Sequence, residues 1–360
     1  MFPFTLMTEW WISMLRIILM LLVHATIAYG ADIKEKVIIC GVCRNVESRL
    51  EKTRLIMESI GNLFEDYRIL IYENNSADKT TKMLLSWMKD NPRVWVKSEH
   101  LSRREFKKKF INIKQDGSFF LPEQIARARN IVLEKALSPE YESFPFIIWM
   151  DMDFVLFPDL DGFVDTFNSD REWDAVFAYG IDPQKTFWDW YALRDGRYPI
   201  GSELLGMDWW YMVKELSLSK SDDWYPVYSA FGGCGIYKKA SIEGCSYSGV
   251  VTRDLEIHAK KLIEEGKKEE HPQVLKFMDF CRQLDATHKI EEPIPNLPYV
   301  RNLNTGIVLQ GDSDALLWRM SSFVYQYPSV CEHVPFHSSM IIRGHDKLYI
   351  NPKLVFRYGG

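Results

Sequence analysis

The first clear pattern along the chain is a nearly continuous apolar run from Lys36 to Cys43, carried by Val37, Ile38, Ile39 and Val42. Apolar positions on both faces of so short a segment predict a strand covered on both sides, the usual condition in a parallel sheet. The period then lengthens, and between Ser48 and Leu63 the residues Leu50, Leu55, Ile56, Ile60 and Leu63 recur at helical spacing. Tyr67 to Tyr72 reads as a second strand, the stretch through Met83, Leu84, Leu85, Trp87 and Met88 as a second helix, and Arg93 to Val96 as a third strand. This alternation opens a right-handed parallel α/β unit, in which ligands sit beyond the C-terminal ends of the strands. Arg44 and the polar turn Glu73-Asn74-Asn75-Ser76-Ala77-Asp78 fall on that edge.

A helix is predicted over Glu123 to Leu137, with Arg127, Asn130 and Glu134 opposite Ile125, Ala128, Val132 and Leu133. It leads to Phe146-Ile147-Ile148-Trp149-Met150-Asp151-Met152-Asp153, where an apolar run ends in two carboxylates two residues apart. In extended chain, residues i and i+2 point the same way, so Asp151 and Asp153 can converge while Met150 and Met152 pack inward. Two anionic groups at the end of a buried strand need compensation. Arginine or lysine supplies it in one reading; in the other, Mg²⁺ or Mn²⁺ carrying phosphate ligands does, because hard cations take oxygen donors. A plainer alternative has one aspartate capping the next helix and the other exposed. Arg127 is the helix residue expected to reach a diphosphate, with a surface ion pair as its alternative.

Beyond the aspartates, Asp159 to Asn168 predicts a short helix and Trp173 to Tyr179 another strand. The stretch from Phe187 to Tyr228 is dense in Trp and Tyr and short of apolar runs, so it is expected to be loop-rich. Most of its rings should pack; some would fold over the site and stack sugars. Phe231-Gly232-Gly233-Cys234-Gly235 leads into a further strand, and its glycines let the backbone approach a ligand closely. A charged helix end or loop is expected over Lys260 to Glu270 and a short strand over Leu303 to Gln310. Glu332, His333, His337 and His345 gather titratable groups near the end of the chain. Glu332 is a candidate general base, and one histidine a candidate metal contact, although a lone histidine is more often hydrogen-bonded structure.

Composition changes this picture at three points. With 360 residues, 47% hydrophobic and 26% charged, the chain can bury a large core, and a net charge of -5 argues against nucleic acid as a partner. Arg16, the apolar run Ile17 to Val23 and Ala28-Tyr29-Gly30 before Ala31 have the form of a secretory signal. Trp10 to Tyr29 is also just long enough for an uncleaved anchor, so residues 1–30 are read as signal peptide or membrane anchor. Either places the remaining chain in a secretory lumen, a periplasm or at a membrane. Six cysteines are compatible with export, and Cys40 and Cys43 are expected as buried thiols or as halves of bridges to distant partners.

Taken in order, Gly41-Val42-Cys43-Arg44-Asn45, the Glu73 to Thr80 turn, Trp149-Met150-Asp151-Met152-Asp153, Phe231-Gly232-Gly233 and Cys331-Glu332-His333-Val334 resemble the motifs of GT-A glycosyltransferases. The closest resemblance is to the cryptococcal capsule-associated α-1,3-mannosyltransferase family, over residues 36–357. It implies an α/β, Rossmann-like, mixed and mainly parallel sheet flanked by helices, in one large domain over 31–360. The nucleotide-sugar half would be 31–155 and the acceptor half 156–360. It further implies a GDP- or UDP-sugar donor, GDP-mannose first, held with Mn²⁺ or Mg²⁺ on Asp151 and Asp153. Arg44, Glu73, Asn75, Asp78 and Arg127 would serve the nucleotide, Gly232 and Gly233 the donor sugar or acceptor, and Glu332 the acceptor side. His333, His337 and His345 are the candidates for a third metal contact. A glycan or glycoconjugate would be the acceptor. The rivals are a metal-dependent nucleotidyl or phosphoryl transferase, whose Gly-rich phosphate loop near the first strand is missing, and a non-catalytic glycan-binding protein with a degenerate site.

Overall fold

In the computed structural model, the described residues are 32–102, 105, 121–153, 157–205, 216–249, 252–285, 292–293, 299–302, 307–310 and 330–358. The expected leader or anchor at 1–30 lies outside them. Among the described residues, no helix is long and apolar enough to cross a membrane.

The apolar runs become strands: β1 (Ile33–Cys43), β2 (Phe64–Asn74), β3 (Val94–Glu99), β4 (Phe146–Met150) and β5 (Ala175–Ile181). With β6 (Tyr225–Pro226), β7 (Cys234–Lys238) and β11 (Leu348–Arg357) they form an eight-stranded sheet in the order β3-β2-β1-β4-β7-β5-β11-β6. Three short strands, β8 (Glu292–Pro293), β9 (Tyr299–Asn302) and β10 (Ile307–Gln310), pair antiparallel in a second sheet. The large sheet is mixed and mainly parallel, the Rossmann-like arrangement expected. β7 is antiparallel to both neighbours, β4 and β5, while β11 runs parallel to β5. Because β1–β5 and β11 all run the same way, Arg44, Asn75, Asp151 and Tyr358 emerge on one edge, and Gly232-Gly233 enter β7 from it.

Successive residues of the central strands feed two separate cores, as a strand covered on both faces requires. Ile38, Cys40, Ile147, Trp149 and Phe177 face one layer; Val37, Ile39, Ile148, Met150 and Val176 face the other. The second layer is completed by α1 (Glu47–Gly61), α2 (Thr80–Asp90) and α4 (Asp161–Phe167), through residues such as Leu50, Leu84 and Phe163. The first is covered by α3 (Leu121–Ala136), α6 (Arg253–Lys268), α7 (Pro272–Asp285) and α8 (His333–Ile342); a one-turn helix, α5 (Ser202–Leu205), precedes the last three.

Two elements at the C-terminal end differ from what periodicity suggests. Every residue of α8 from His333 to Met340 is buried, so it has no polar face to betray a helix. β11 contains Pro352, which a central strand normally excludes. The register shifts between Asn351 and Val355, so the proline, which lacks an N–H, sits where the ladder to β5 is interrupted. Cys40, Cys43, Cys234, Cys245 and Cys331 are free thiols.

Candidate active site

A cleft of about 460 Å³ opens along the strand-end edge, and Asp151, Asp153, Arg44, Arg129 and Glu332 are among the side chains that line it. Asp151 stands at the exit of β4, where its N–H donates to the Gly233 carbonyl at 3.0 Å. Arg129 Nη2 donates to Asp151 Oδ1 at 3.3 Å and Tyr358 Oη donates to Asp151 Oδ2 at 2.8 Å. Met152 turns inward as expected, into space available only because Gly41 lacks a side chain; a Cβ there would lie 2.6 Å from the Met152 sulfur. Asp153 is exposed, with its carbonyl accepting from Arg49 Nη1 at 3.0 Å and its carboxylate 3.8 Å from the same guanidinium. Burial pushes the Asp151 carboxyl up to about 6; Arg129 opposes that shift and Asp153 adds to it.

Arg129 is the organising group of this floor. Its side chain is 4% exposed, Nε donates to Glu332 Oε1 at 3.0 Å, and the guanidinium carbon lies 4.9 Å from the Phe231 ring centroid and 5.2 Å from that of Trp149. Burial disfavours its charge, yet the Glu332 and Asp151 carboxylates hold it protonated. Nη1 makes no hydrogen bond. The periodicity of α3 carried a signal for it: Ala126, Arg129, Val132, Leu133 and Ala136 are all buried along one side, so an arginine lies on the apolar stripe. Arg127, two residues earlier, is half-buried and does not line the cleft.

Glu332 is 6% exposed and ion-paired to Arg129. Its carboxylate is thus engaged as the partner of a buried guanidinium, where its position in the sequence suggested a free acceptor-side base. Of the three candidate histidines, only His333 lines the cleft. Its ring stacks on Phe231 at 3.9 Å, neither nitrogen makes a hydrogen bond, and burial, reinforced by Arg129, holds it neutral. His337 is locked in the core between Ser229 Oγ and Tyr237 Oη, each at 2.9 Å. His345 pairs with Asp174 just before β5, at the opposite edge of the sheet.

The residues expected near the nucleotide divide in the same way. Arg44 and Asn74 line the cleft. Glu73 is 1% exposed, and its carboxylate accepts from Ser76 N at 2.7 Å and Thr81 Oγ1 at 2.9 Å, which shapes the turn from within. Asp78 accepts from Glu47 N at 3.1 Å and Thr80 N at 3.0 Å, satisfying the open N-termini of two helices. Asn75 bridges to Leu101, donating to its carbonyl at 2.8 Å and accepting from its N–H at 3.1 Å. These three build the rim rather than face the cleft.

Gly232 and Gly233 form the turn into β7 with φ of 60° and 86°. A Cβ on Gly232 would lie 2.2 Å from the Ala178 carbonyl oxygen. The Gly232 N–H donates to Asp189 Oδ2 at 3.1 Å, and Asp189 lines the cleft beside Trp188 and Tyr191. Burial and the nearby Asp151 charge push the Asp189 carboxyl up to about 8. Asp189 lies in the aromatic stretch, where nothing in the spacing distinguishes it from a loop residue.

Asp151 and Asp153 are hard oxygen donors of the kind Mg²⁺ or Mn²⁺ takes, and each carboxylate oxygen keeps lone-pair capacity beyond the bonds above. Among the described residues, no three His, Cys, Asp or Glu side chains are grouped to hold a metal. The donor set thus fits a cation that takes its remaining ligands from phosphate and water.

No family model matches this chain, and no curated protein matches it. Among solved structures, it is similar to a mannosyltransferase from Pyrobaculum calidifontis in complex with GDP-Man and Mn²⁺, at 15% identity, 67% of this chain, 54% of that one and a TM-score of 0.36. It is also similar to GalNAc-T7 with UDP, GalNAc and Mn²⁺, at 12% identity, 92% of this chain, 45% of that one and a TM-score of 0.39. A third is glucosyl-3-phosphoglycerate synthase from Mycobacterium tuberculosis with UDP, at 12% identity, 65% of this chain, 66% of that one and a TM-score of 0.31. The chain spans about half the length of the first two. Likenesses this faint carry no functional conclusion.

Proposed function

We propose that the protein is a metal-dependent glycosyltransferase that moves a hexose from a nucleotide-sugar to a hydroxyl of a glycan or glycoconjugate. The observation that carries this reading is the meeting of Asp151 and Asp153 in one cleft at the C-terminal edge of a mainly parallel sheet. A divalent cation bound there would neutralise the diphosphate as it leaves. The chain's own residues then have separate tasks. Arg44 and Asn74, at the β1 and β2 ends, face the nucleotide side. Arg129 and Tyr358 fix the two oxygens of Asp151, and Glu332 holds Arg129 in place. The Gly232-Gly233 backbone lets the sugar approach closely. GDP-mannose is the first donor to try, because the ordered motifs resemble those of mannosyltransferases. The apolar stretch ahead of Ala31 supports a place in a secretory lumen, a periplasm or at a membrane.

The engagement of both Asp151 oxygens by protein donors favours one second reading, a glycan-binding protein that no longer turns over a donor. Release of nucleoside diphosphate from a panel of GDP- and UDP-sugars, with Mn²⁺ or with chelator, separates the two. Metal-dependent release with one donor, lost in Asp153→Ala, supports the transferase. Glycan binding with no release from any donor supports the second reading.

A further inference from the structure

Trp188 is 45% exposed, whereas Trp87, Trp149, Trp173 and Trp224 are all buried. Its indole lines the cleft and packs against Tyr358, with centroids 4.8 Å apart and planes inclined at 42°. Tyr358 is the residue whose hydroxyl holds Asp151, so the exposed ring is fastened to the centre of the site. The backbone is fixed as well, since Trp188 N–H donates to the Gly180 carbonyl of β5 at 2.9 Å.

The next residue, Asp189, has φ of 83°, in the left-handed region that favours glycine. The bond from Gly232 N–H holds its carboxyl in the cleft beside the indole. An aromatic face left open to solvent next to a carboxyl group held in place is the pairing a pyranose recognises: its C–H face stacks on the ring and its hydroxyls donate to the carboxyl oxygens. Position agrees with chemistry. The sheet order β2-β1-β4-β7-β5 puts Arg44 and Asn74 on one side of Asp151, and Trp188 and Asp189, which follow β5, on the other.

We infer that Trp188 and Asp189 form a pyranose subsite across Asp151 from the nucleotide end of the cleft. Which pyranose occupies it rests on the transferase reading: the sugar of the donor or the terminal sugar of the acceptor.

The test uses methyl α-pyranosides of mannose, glucose and galactose as probes in ligand-observed saturation-transfer NMR on the full chain. At least one should bind. Trp188→Ala should weaken it roughly tenfold, the loss expected for one stacking partner, and Trp188→Phe should retain most of it. Asp189→Asn should also weaken it. Calorimetric binding of UDP and GDP with Mn²⁺, on the same proteins, reads the nucleotide end separately and should stay within about twofold, a change worth less than 0.5 kcal/mol. Equal probe affinity for the wild-type, Trp188→Ala and Asp189→Asn proteins, or no probe bound by the wild type, overturns the subsite even if nucleotides bind. Absence of nucleotide binding with probe binding intact overturns the transferase reading and leaves the subsite standing. A probe displaced only by intact nucleotide-sugar occupies the donor-sugar position, and one displaced by neither ligand occupies the acceptor position. Displacement by nucleoside diphosphate alone puts the probe at the wrong end of the cleft and overturns the inference.

Discussion

Arg129 donates to Glu332 across 203 positions of sequence, at 3.0 Å and with both side chains almost wholly buried. The bond ties α3 to the residue that precedes α8, and the same guanidinium also donates to Asp151, so the C-terminal segment helps to position the site. Removing one partner of such a pair leaves an uncompensated buried charge. Arg129→Met should therefore lower stability by about 3–5 kcal/mol in denaturant unfolding. Glu332→Gln keeps an acceptor for Nε and should lose rate without removing a limb of the pH–rate profile; loss of a limb would make Glu332 a base after all.

The pH dependence of stability follows from two opposed sets of buried groups. His258 and His337 are pushed down by burial, to about 4 and about 3, and His333 is lowered too, so the unfolded chain binds protons that the folded one refuses. Their contribution is full above the ordinary histidine value and is lost progressively as pH falls from it through the folded values. Asp189 and Asp151 behave in the opposite sense: with their carboxyls raised to about 8 and about 6, the folded chain holds protons that the unfolded one releases, and their contributions are lost as pH rises through those values. Thermal melts should peak near about pH 6.5, where the histidines have become neutral in both states. Asp189→Asn should flatten the decline between that point and about pH 8. An unchanged alkaline slope in the variant would place the raised group elsewhere.

Gly232 cannot carry a side chain. Its positive φ and the nearby Ala178 carbonyl act together, and Gly232→Ala should cost about 3 kcal/mol or more. Because the same residue donates to Asp189, this variant should also lose pyranoside binding even where it remains folded.

Tyr358→Phe removes one hydrogen bond from the Asp151 carboxylate and leaves the Trp188 contact available. A bond to a charged acceptor contributes about 1.5–3 kcal/mol, so the expected result is a folded protein whose kcat falls at least about tenfold. A fall confined to thermal stability would restrict Tyr358 to packing.

Much of the sheet could be read from the chain because β1, β2, β4 and β5 are apolar on both faces, a pattern few other elements produce. Asp151 was legible for the same reason: a carboxylate ending such a run is conspicuous. Arg129 left only a trace, an arginine on the buried stripe of α3, which makes sense only once Glu332 is known to face it. Glu73, Asp78 and Asn75 were legible as turn residues, but whether a turn residue faces a ligand or its own backbone depends on how neighbouring turns pack. Here Asp78 caps α1 from another loop, a pairing that no local pattern contains. The burial of α8 on every side and the proline in β11 hid the elements that close the site.

The central claim is that Asp151 and Asp153 hold a divalent cation together with the diphosphate of a nucleotide-sugar. Its most direct test is a crystal structure of the protein with Mn²⁺ and GDP or UDP, with data collected at the manganese edge. An anomalous peak is expected about 2.0–2.4 Å from an oxygen of at least one of the two aspartates and from a phosphate oxygen. Nucleotide bound in the cleft without a peak at either aspartate, or a peak at other residues, would contradict it.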